Sequence, residues 1–563
     1  MSSAWVPASV RALRGYTSAT FFHDLTAGVV VALVALPLAM AFAIASGLTP
    51  QAGIYCAIVT GFLISALGGS RTQIGGPTGA FVVVVAGIVA EHGVEGLYLC
   101  TMMAGVLLVI LGVTGMGNAV KYLPRPVVVG FTNGIAVLIA STQIKDFFGL
   151  NLPVVPAEFA TRMVALARNA STIAAPATIV AVCALAAMIV LRRLYPRIPG
   201  TVVALGVGTA AVAFLGLDVE TIGSRFGGIP SGLPDASIPT FKGSLIPVLI
   251  RPALTVAMLG AIESLMSAVV ADRMTGHRHN PNTELVAQGI ANIASPIFGG
   301  LPATGAIART ATNIRSGART PVAGMMHAVV LLIILLTGAP LARFIPMPVL
   351  AAILLIVSYN MGEWHEIPKL LRLTRMDIAV WLVTFALTVF ADLTLAVEVG
   401  MILAALLFVR KVSVTTTVSR VTPEYIEAGR VHILQDKRIP AYVTIFRIHG
   451  PLLFGMTDKI ARITDRIERL PEIVIVRLRN MTAIDATGVR ALEELAEALR
   501  ESGRSLVLCG AREQPAALMK ASEFHLHVGD RNICPNIQTA LDRAEELHQA
   551  GSVAPQAFGV SGP

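Results

Sequence analysis

The residues that stand out are ionisable ones set inside apolar sequence. Glu263, in LGAIESLMSA, and Arg309, in GLPATGAIAR, each lie within an apolar run of a 563-residue chain that is 55% hydrophobic and 14% charged. A charge at the centre of a bilayer costs about 2.5 kcal/mol or more on insertion scales, so each needs a function or a partner. A carboxyl group at that depth can carry a proton or ligate a cation, and Ser267 lies one turn beyond Glu263 on the same helical face. A guanidinium there adds positive potential for an anion. A static Glu263–Arg309 ion pair joining two helices is the structural alternative.

Arg309 follows a break containing Pro302 and Gly305, and a similar break, IGGPTGA at 74–80, occurs in the first half of the chain. Short apolar segments interrupted by Gly and Pro at corresponding places in two halves point to half-helices that meet near the bilayer midplane. Each half-helix N-terminus carries roughly half a positive charge and free N–H groups, so an opposed pair makes an anion site. Gly75, Gly76, Gly79 and Gly305 would allow close approach, and Thr78 and Thr304 would offer hydroxyls. Broken backbone is tolerable where it lines a cavity instead of facing lipid. Glycine packing between continuous helices is the competing explanation.

The elements that must position these residues are apolar runs long enough to cross the ~30 Å hydrocarbon layer. They divide into about fourteen segments, near 24–46, 52–70, 77–90, 96–117, 125–147, 171–193, 199–217, 247–271, 284–298, 304–315, 320–341, 346–362, 377–393 and 396–410. The first continues without a small-residue cleavage site and reads as a span. Basic residues collect on one set of connections, among them Arg11, Arg14, Arg71, Arg192, Arg193, Arg273, Arg315, Arg319 and Arg410. The positive-inside rule then puts both termini in the cytoplasm and accounts for the net charge of +9 without a nucleic-acid partner. His23 and Asp24 read as solvated interfacial residues at the start of the first span, and Pro37 loosens that span near Phe42.

The halves echo each other. LTA at Leu25 matches LTV at Leu254, PTGA at Pro77 matches ATGA at Ala303, and LPRPVVV at Leu123 matches IPMPVLA at Ile345, with offsets that agree to within a few residues. Seven spans separate the copies, so the second enters the bilayer from the opposite side, as an inverted repeat. The five cysteines show neither a paired framework nor ligand spacing and are expected as reduced thiols. No phosphate loop, metal spacing or nucleophile constellation points to an enzyme or to ATP-driven transport.

Beyond the spans the pattern changes to apolar strands at 442–448, 473–478 and 505–510 alternating with amphipathic helices at 457–469, 487–502, 512–523 and 535–549. This is a small α/β domain. Asp485 and Thr487 fall at a strand-to-helix turn, where Thr487 would cap the helix or, if phosphorylated, place its charge on the helix N-terminus.

With LPLAMAFA, PQAGIYCAIVTGFLISALGGSR at 50–71, IGGPTGA, LPATGAIAR and this tail in order, nearly the whole chain resembles the sulfate permease (SulP) family of anion transporters with a C-terminal STAS domain. The resemblance implies a polytopic α-helical membrane protein of 14 segments in a 7+7 inverted repeat. It further implies a core domain (segments 1–4 and 8–11), a gate domain (5–7 and 12–14), elevator-like motion and a homodimer. It places substrate contacts on Phe42, Thr78, Gly79, Ala80, Ala306, Ile307, Ala308 and Arg309, and the coupling-ion carboxylate on Glu263 with Ser267 nearby. Sodium-coupled bicarbonate relatives commonly have Asp at the Glu263 position and proton-coupled ones Glu, which favours H+ over Na+. The phosphorylated hydroxyl of antagonist proteins falls on Thr487, although Ala486 stands where they have serine.

The expected organisation is a cytoplasmic N-terminal segment (1–23), a first repeat (24–217), an outer linker (218–246), a second repeat (247–411), a linker (412–431), the STAS-like domain (432–549) and a disordered tail (550–563). The expected function is secondary active uptake of a small anion (sulfate, bicarbonate or a dicarboxylate), proton-coupled, in a bacterial inner membrane. No cofactor is implied beyond the coupling ion, and a cytoplasmic protein partner is expected for the STAS-like domain. Sodium-coupled bicarbonate symport and chloride exchange are the alternatives; a channel fits less well, because conduction needs a pore open to both sides.

Overall fold

The computed structural model describes residues 5–117, 124–152, 155–195, 198–232, 236–239, 243–391, 393–420, 439–454, 458–464 and 467–552. Within the expected linker and tail, residues 421–431 and 553–563 lie outside that set. The chain forms two compact units, Met1–Ala404 and Ala405–Pro563.

The first unit is helical. A short α1 (Ala8–Leu13) precedes α2 (Ser18–Ala45) and α3 (Pro50–Leu67); a two-residue β1 (Gly75–Gly76) leads to α4 (Gly79–Val113), followed by α5 (Arg125–Phe148), α6 (Phe159–Arg168), α7 (Ala175–Leu194), α8 (Gly200–Leu215) and α9 (Ile222–Phe226). The second half runs α10 (Ile246–Thr275), α11 (Pro281–Ile297), β2 (Thr304–Gly305), α12 (Ile307–Arg315), α13 (Val322–Ala342), α14 (Met347–Met361), α15 (Ile367–Leu370), α16 (Arg375–Phe390) and α17 (Leu393–Thr415). Each apolar run thus becomes a helix, and 8 helices are long and apolar enough to cross a membrane among the described residues. The break expected between residues 90 and 96 falls at Gly93, where φ 69° and ψ −176° divide α4. Proline sits in the first turn of α3, α5, α7, α10, α11 and α14, where its missing N–H costs no helical bond.

The helices pack in two groups. In one, α4 lies against α10 and α11, and α13 against α2 and α3; in the other, α5 lies against α14 and α16, and α7 against α14 and α8. Small residues permit the close crossings of the first group. Gly105 and Gly289 face each other across α4 and α11, where a Cβ on either would come within about 2.5–2.7 Å of the opposing glycine's carbonyl oxygen. Van der Waals packing through such residues drives association where lipid and side chains are equally apolar.

The second unit is an α/β domain with a five-stranded sheet, β3 (Thr417–Arg420), β4 (Val443–Leu452), β5 (Ile473–Ile484), β6 (Ser505–Cys509) and β7 (Ile533–Cys534), in that spatial order. β3 is antiparallel to β4; the other pairs are parallel. Alternation along β5 sends Val474, Val476 and Leu478 into one core with Leu492, Leu495 and Leu499, and Ile473 and Ile475 into another with Ile537, Ala540 and Ala544. Both faces are therefore covered, as parallel strands require. β3 lies within the stretch expected to be a linker: the polar sequence TVSR forms an edge strand because β4 offers it a partner.

Candidate anion-binding site

The two breaks meet. β1 and β2 pair antiparallel, with Gly75 opposite Gly305 and Gly76 opposite Thr304, so the chain enters α4 and α12 from adjacent positions. The pairing is anchored from several sides. Ala306 N donates to Ile74 O at 2.8 Å, and Ile74 N to Thr310 Oγ1 at 3.0 Å. Asn292 brackets Ala303, accepting from its N–H at 2.9 Å and donating to its carbonyl at 2.8 Å, while Asn313 donates to Thr72 O at 2.8 Å. Non-helical backbone at membrane depth is tolerable only with such internal satisfaction.

Around this crossing the structure gathers most of the expected residues. Thr78 is the N-cap of α4 and Ala306 that of α12, so Gly79, Ala80, Ile307 and Ala308 supply first-turn N–H groups that lack helical acceptors. Ala80 and Ala306 are buried, Ile307 is half-buried and Ala308 is exposed. The Thr78 hydroxyl is buried without a hydrogen-bond partner. Phe42 is 4% exposed, and a Cβ at Gly79 would lie 3.4 Å from its ring, 3.2 Å from Ile139 Cδ1 of α5 and 3.2 Å from Met361 Sδ of α14. Any side chain at position 79 would make all three give by a few tenths of an ångström.

Arg309 is 2% exposed and lies across the break, its Nη2 donating to Pro77 O and its Nη1 left without a partner. A Cβ on Gly76, which has φ 146°, would come within 2.6 Å of Nη1. The positive charge thus sits directly beside the N-terminus of α4. No carboxylate within 4.0 Å neutralises it among the described residues, so the Glu263–Arg309 ion pair is not formed. Glu263, in α10, is half-buried and makes no hydrogen bond or ion pair among the described residues. Ser267 is fully buried, and its hydroxyl lies 3.1 Å from Thr310 Oγ1.

Three expectations need correction. The Thr304 hydroxyl donates to Gly260 O at 2.9 Å and so is engaged by α10 instead of free for an anion. Asp24 is completely buried and not solvated; it accepts from Arg319 N at 2.8 Å, Thr320 N at 3.2 Å and Thr320 Oγ1 at 2.5 Å, clamping the start of α2 to the α12–α13 connection. In the second unit, Asp485 caps the helix Ala486–Glu501, accepting from Gly488 N at 2.8 Å and from Phe454 N at 2.9 Å, whereas Thr487 is exposed one position inside it. Its hydroxyl is not the cap. The β1–β2 crossing also includes a residue that sequence reasoning missed, Gln73, whose Nε2 donates to Ser264 O and Oγ at 3.1 and 3.0 Å. A glutamine two residues before the first glycine pair was the available signal.

All five cysteines are free. Burial pushes the Cys509 thiol up to about 12, which keeps it protonated and unreactive.

Residues 21–384 match the sulfate permease family, and residues 434–540 the STAS domain. YvdB of Bacillus subtilis (strain 168), a candidate sulfate transporter, is 40% identical over 515 residues, covering 91% of this chain and 96% of its own. The bicarbonate transporter BicA of Synechocystis sp. is 31% identical over 542 residues, covering 94% of each chain. The structure of murine Solute Carrier 26 family member A9 in the inward-facing state superposes with a TM-score of 0.85 at 18% identity, covering 96% of this chain and 94% of its own, a likeness of fold. The chain therefore belongs to the sulfate permease family of anion transporters and carries a C-terminal STAS domain.

Proposed function

We propose that the protein is a secondary active transporter that takes up a small oxyanion or carboxylate across the bacterial inner membrane, coupled to protons. The observation that carries this reading is the apposition of the α4 and α12 N-termini through β1 and β2, with an uncompensated Arg309 and an unpartnered Thr78 hydroxyl beside them. Four free N–H groups, two helix dipoles and a guanidinium favour any compact anion and discriminate by charge more than by shape. Sulfate, bicarbonate and fumarate all satisfy them. The BicA relative places bicarbonate among the first to test.

In this reading the group α2–α4 with α10–α13 is the mobile core and the group α5, α7, α8, α14, α16 and α17 the gate, related as a 7+7 inverted repeat. The anion rides on the core. Ile139 and Met361 of the gate line the space beside Gly79, so translation of the core would slide the site past them and exchange the side of the membrane it faces. Glu263, on the same helix as the Ser264 and Ser267 that meet the break, is assigned the coupling proton because no cation among the described residues lies within 4.0 Å to keep it charged. Protonation would remove a negative charge as the anion arrives, so anion and proton favour each other's binding. Sodium at the same carboxylate is the alternative.

The test is uptake of labelled sulfate, bicarbonate and fumarate into liposomes containing the purified protein, under separate proton and sodium gradients. Accumulation of one anion driven by an inwardly directed proton gradient is expected. Uptake that follows only the sodium gradient would move the coupling role to sodium, and uptake indifferent to both would indicate exchange.

A further inference from the structure

A polar cavity of about 380 Å³ opens on the face of the first unit that holds the N-terminus, between α1, the start of α2, the residues after α3, the end of α10 and the α12–α13 connection. Arg71, Arg319 and His277 line it, together with the hydroxyl-bearing Tyr16, Thr20 and Thr275. Both guanidiniums are exposed and each is met by a histidine: Arg71 Nη1 lies 3.3 Å from His277 Nε2, and Arg319 Nη2 lies 3.2 Å from His23 Nε2. A guanidinium can only donate, so these ring nitrogens accept and the arginine charges remain uncompensated.

The carboxylates nearby are engaged elsewhere. Asp24 accepts from the Tyr16 hydroxyl at 3.1 Å, besides its bonds to Arg319 N and Thr320. Asp272 holds His279 Nδ1 at 2.7 Å, and Glu284 accepts from Gly69 N and Ser70 N at 2.9 and 3.1 Å. Among the described residues neither Arg71 nor Arg319 has a carboxylate within 4.0 Å. The positive-inside rule accounts for arginines on this face, but not for their convergence on one cavity edged with hydroxyls.

The rim supplies a second observation. α1 is tied down by Ser9 Oγ donating to Ala66 O at 2.5 Å and Ala8 N to Gly68 O at 2.9 Å. In and beside α1, Trp5, Val10 and Leu13 are exposed among Arg11 and Arg14, and Phe22 at the start of α2 is 65% exposed. Exposed aromatic and aliphatic side chains interleaved with arginine mark an element lying in the headgroup layer of a bilayer.

We propose that this cavity binds the phosphate of an anionic membrane lipid, Arg71 and Arg319 meeting its oxygens while the acyl chains run along Leu13 and Phe22. The apolar rim favours a lipid over free phosphate, since a soluble anion has no use for it. The proposal does not depend on which solute is transported.

The full-length protein, reconstituted in nanodiscs of mixed phosphatidylglycerol and phosphatidylcholine with matched chains, can be extracted and its retained lipid read by native mass spectrometry. Phosphatidylglycerol should be enriched on the unaltered protein. The double variant R71Q/R319Q should reduce that enrichment by about tenfold, as loss of charge-assisted contacts implies, and R71K/R319K should largely keep it. Single R319Q, which preserves the backbone bond to Asp24, guards against a folding defect and should also lower retention. Equal retention in the glutamine variants, or no preference in the unaltered protein, would overturn the proposal. So would inorganic phosphate raising the melting temperature of the solubilised protein as much as phosphatidylglycerol does.

Discussion

At the scale of single residues the account turns on which polar atoms are satisfied. Glu263 has no hydrogen-bond or ion-pair partner among the described residues, so Glu263→Gln should remove the coupling group while leaving the anion site intact. Proton-driven accumulation should fall to simple equilibration, whereas anion exchange between the two sides continues; accumulation ratios measured against an imposed pH gradient check this, and an unchanged ratio would remove Glu263 from the mechanism. The two threonines at the break should separate cleanly. Thr78→Val deletes a buried hydroxyl left without a partner at the break and should raise KM about tenfold, in line with a hydrogen bond to a charged group. Thr304→Val instead breaks a bond to Gly260 O and should act mainly on stability, lowering the melting temperature with little change in KM. That contrast was not legible in the sequence. Both threonines occupy the same place in PTGA and ATGA, and the direction of a side chain at a break depends on neighbours such as α10 that pattern matching does not supply. Likewise the turn at Asp485 and Thr487 was visible, but which of the two caps it depends on backbone angles: Asp485 is extended, at φ −114° and ψ −178°, and its carboxylate reaches Gly488 N.

At the scale of elements, hydrophobic runs predicted the membrane helices well, because a segment that must hide its backbone from lipid has few alternatives to a helix. Even the division of α4 at Gly93 was anticipated by a polar interruption. Short or amphipathic pieces were missed: α1, α6 and β7 are brief, and β3 consists of polar residues that are extended only because β4 pairs with them. That dependence is testable. A fragment comprising residues 439–552 leaves the edge of β4 bare, and it should melt lower and aggregate more readily than a fragment beginning at residue 416. Circular dichroism melts of the two settle it, and equal midpoints would show β3 to be dispensable. In the longer fragment Asp485→Ala removes the cap of the helix Ala486–Glu501 and should cost about 1 kcal/mol, a shift of several degrees in a domain of this size, read in the same melts.

At the scale of the whole molecule, two groups of helices approach each other at the start of α4, where Ile139 and Met361 would lie 3.2 Å from a Cβ on Gly79. The N-termini of α4 and α12 meet there through β1 and β2, with Arg309 donating to Pro77 O beside them. Everything proposed about uptake presupposes that the anion rests there. A structure determined with the transported anion at saturating concentration addresses this most directly. It should show the anion between the first turns of α4 and α12, within hydrogen-bonding distance of the Thr78 hydroxyl and the Ala80 and Ala308 N–H groups, with Arg309 alongside. Anion density at any other place on the transport path, with that crossing empty, would contradict the account.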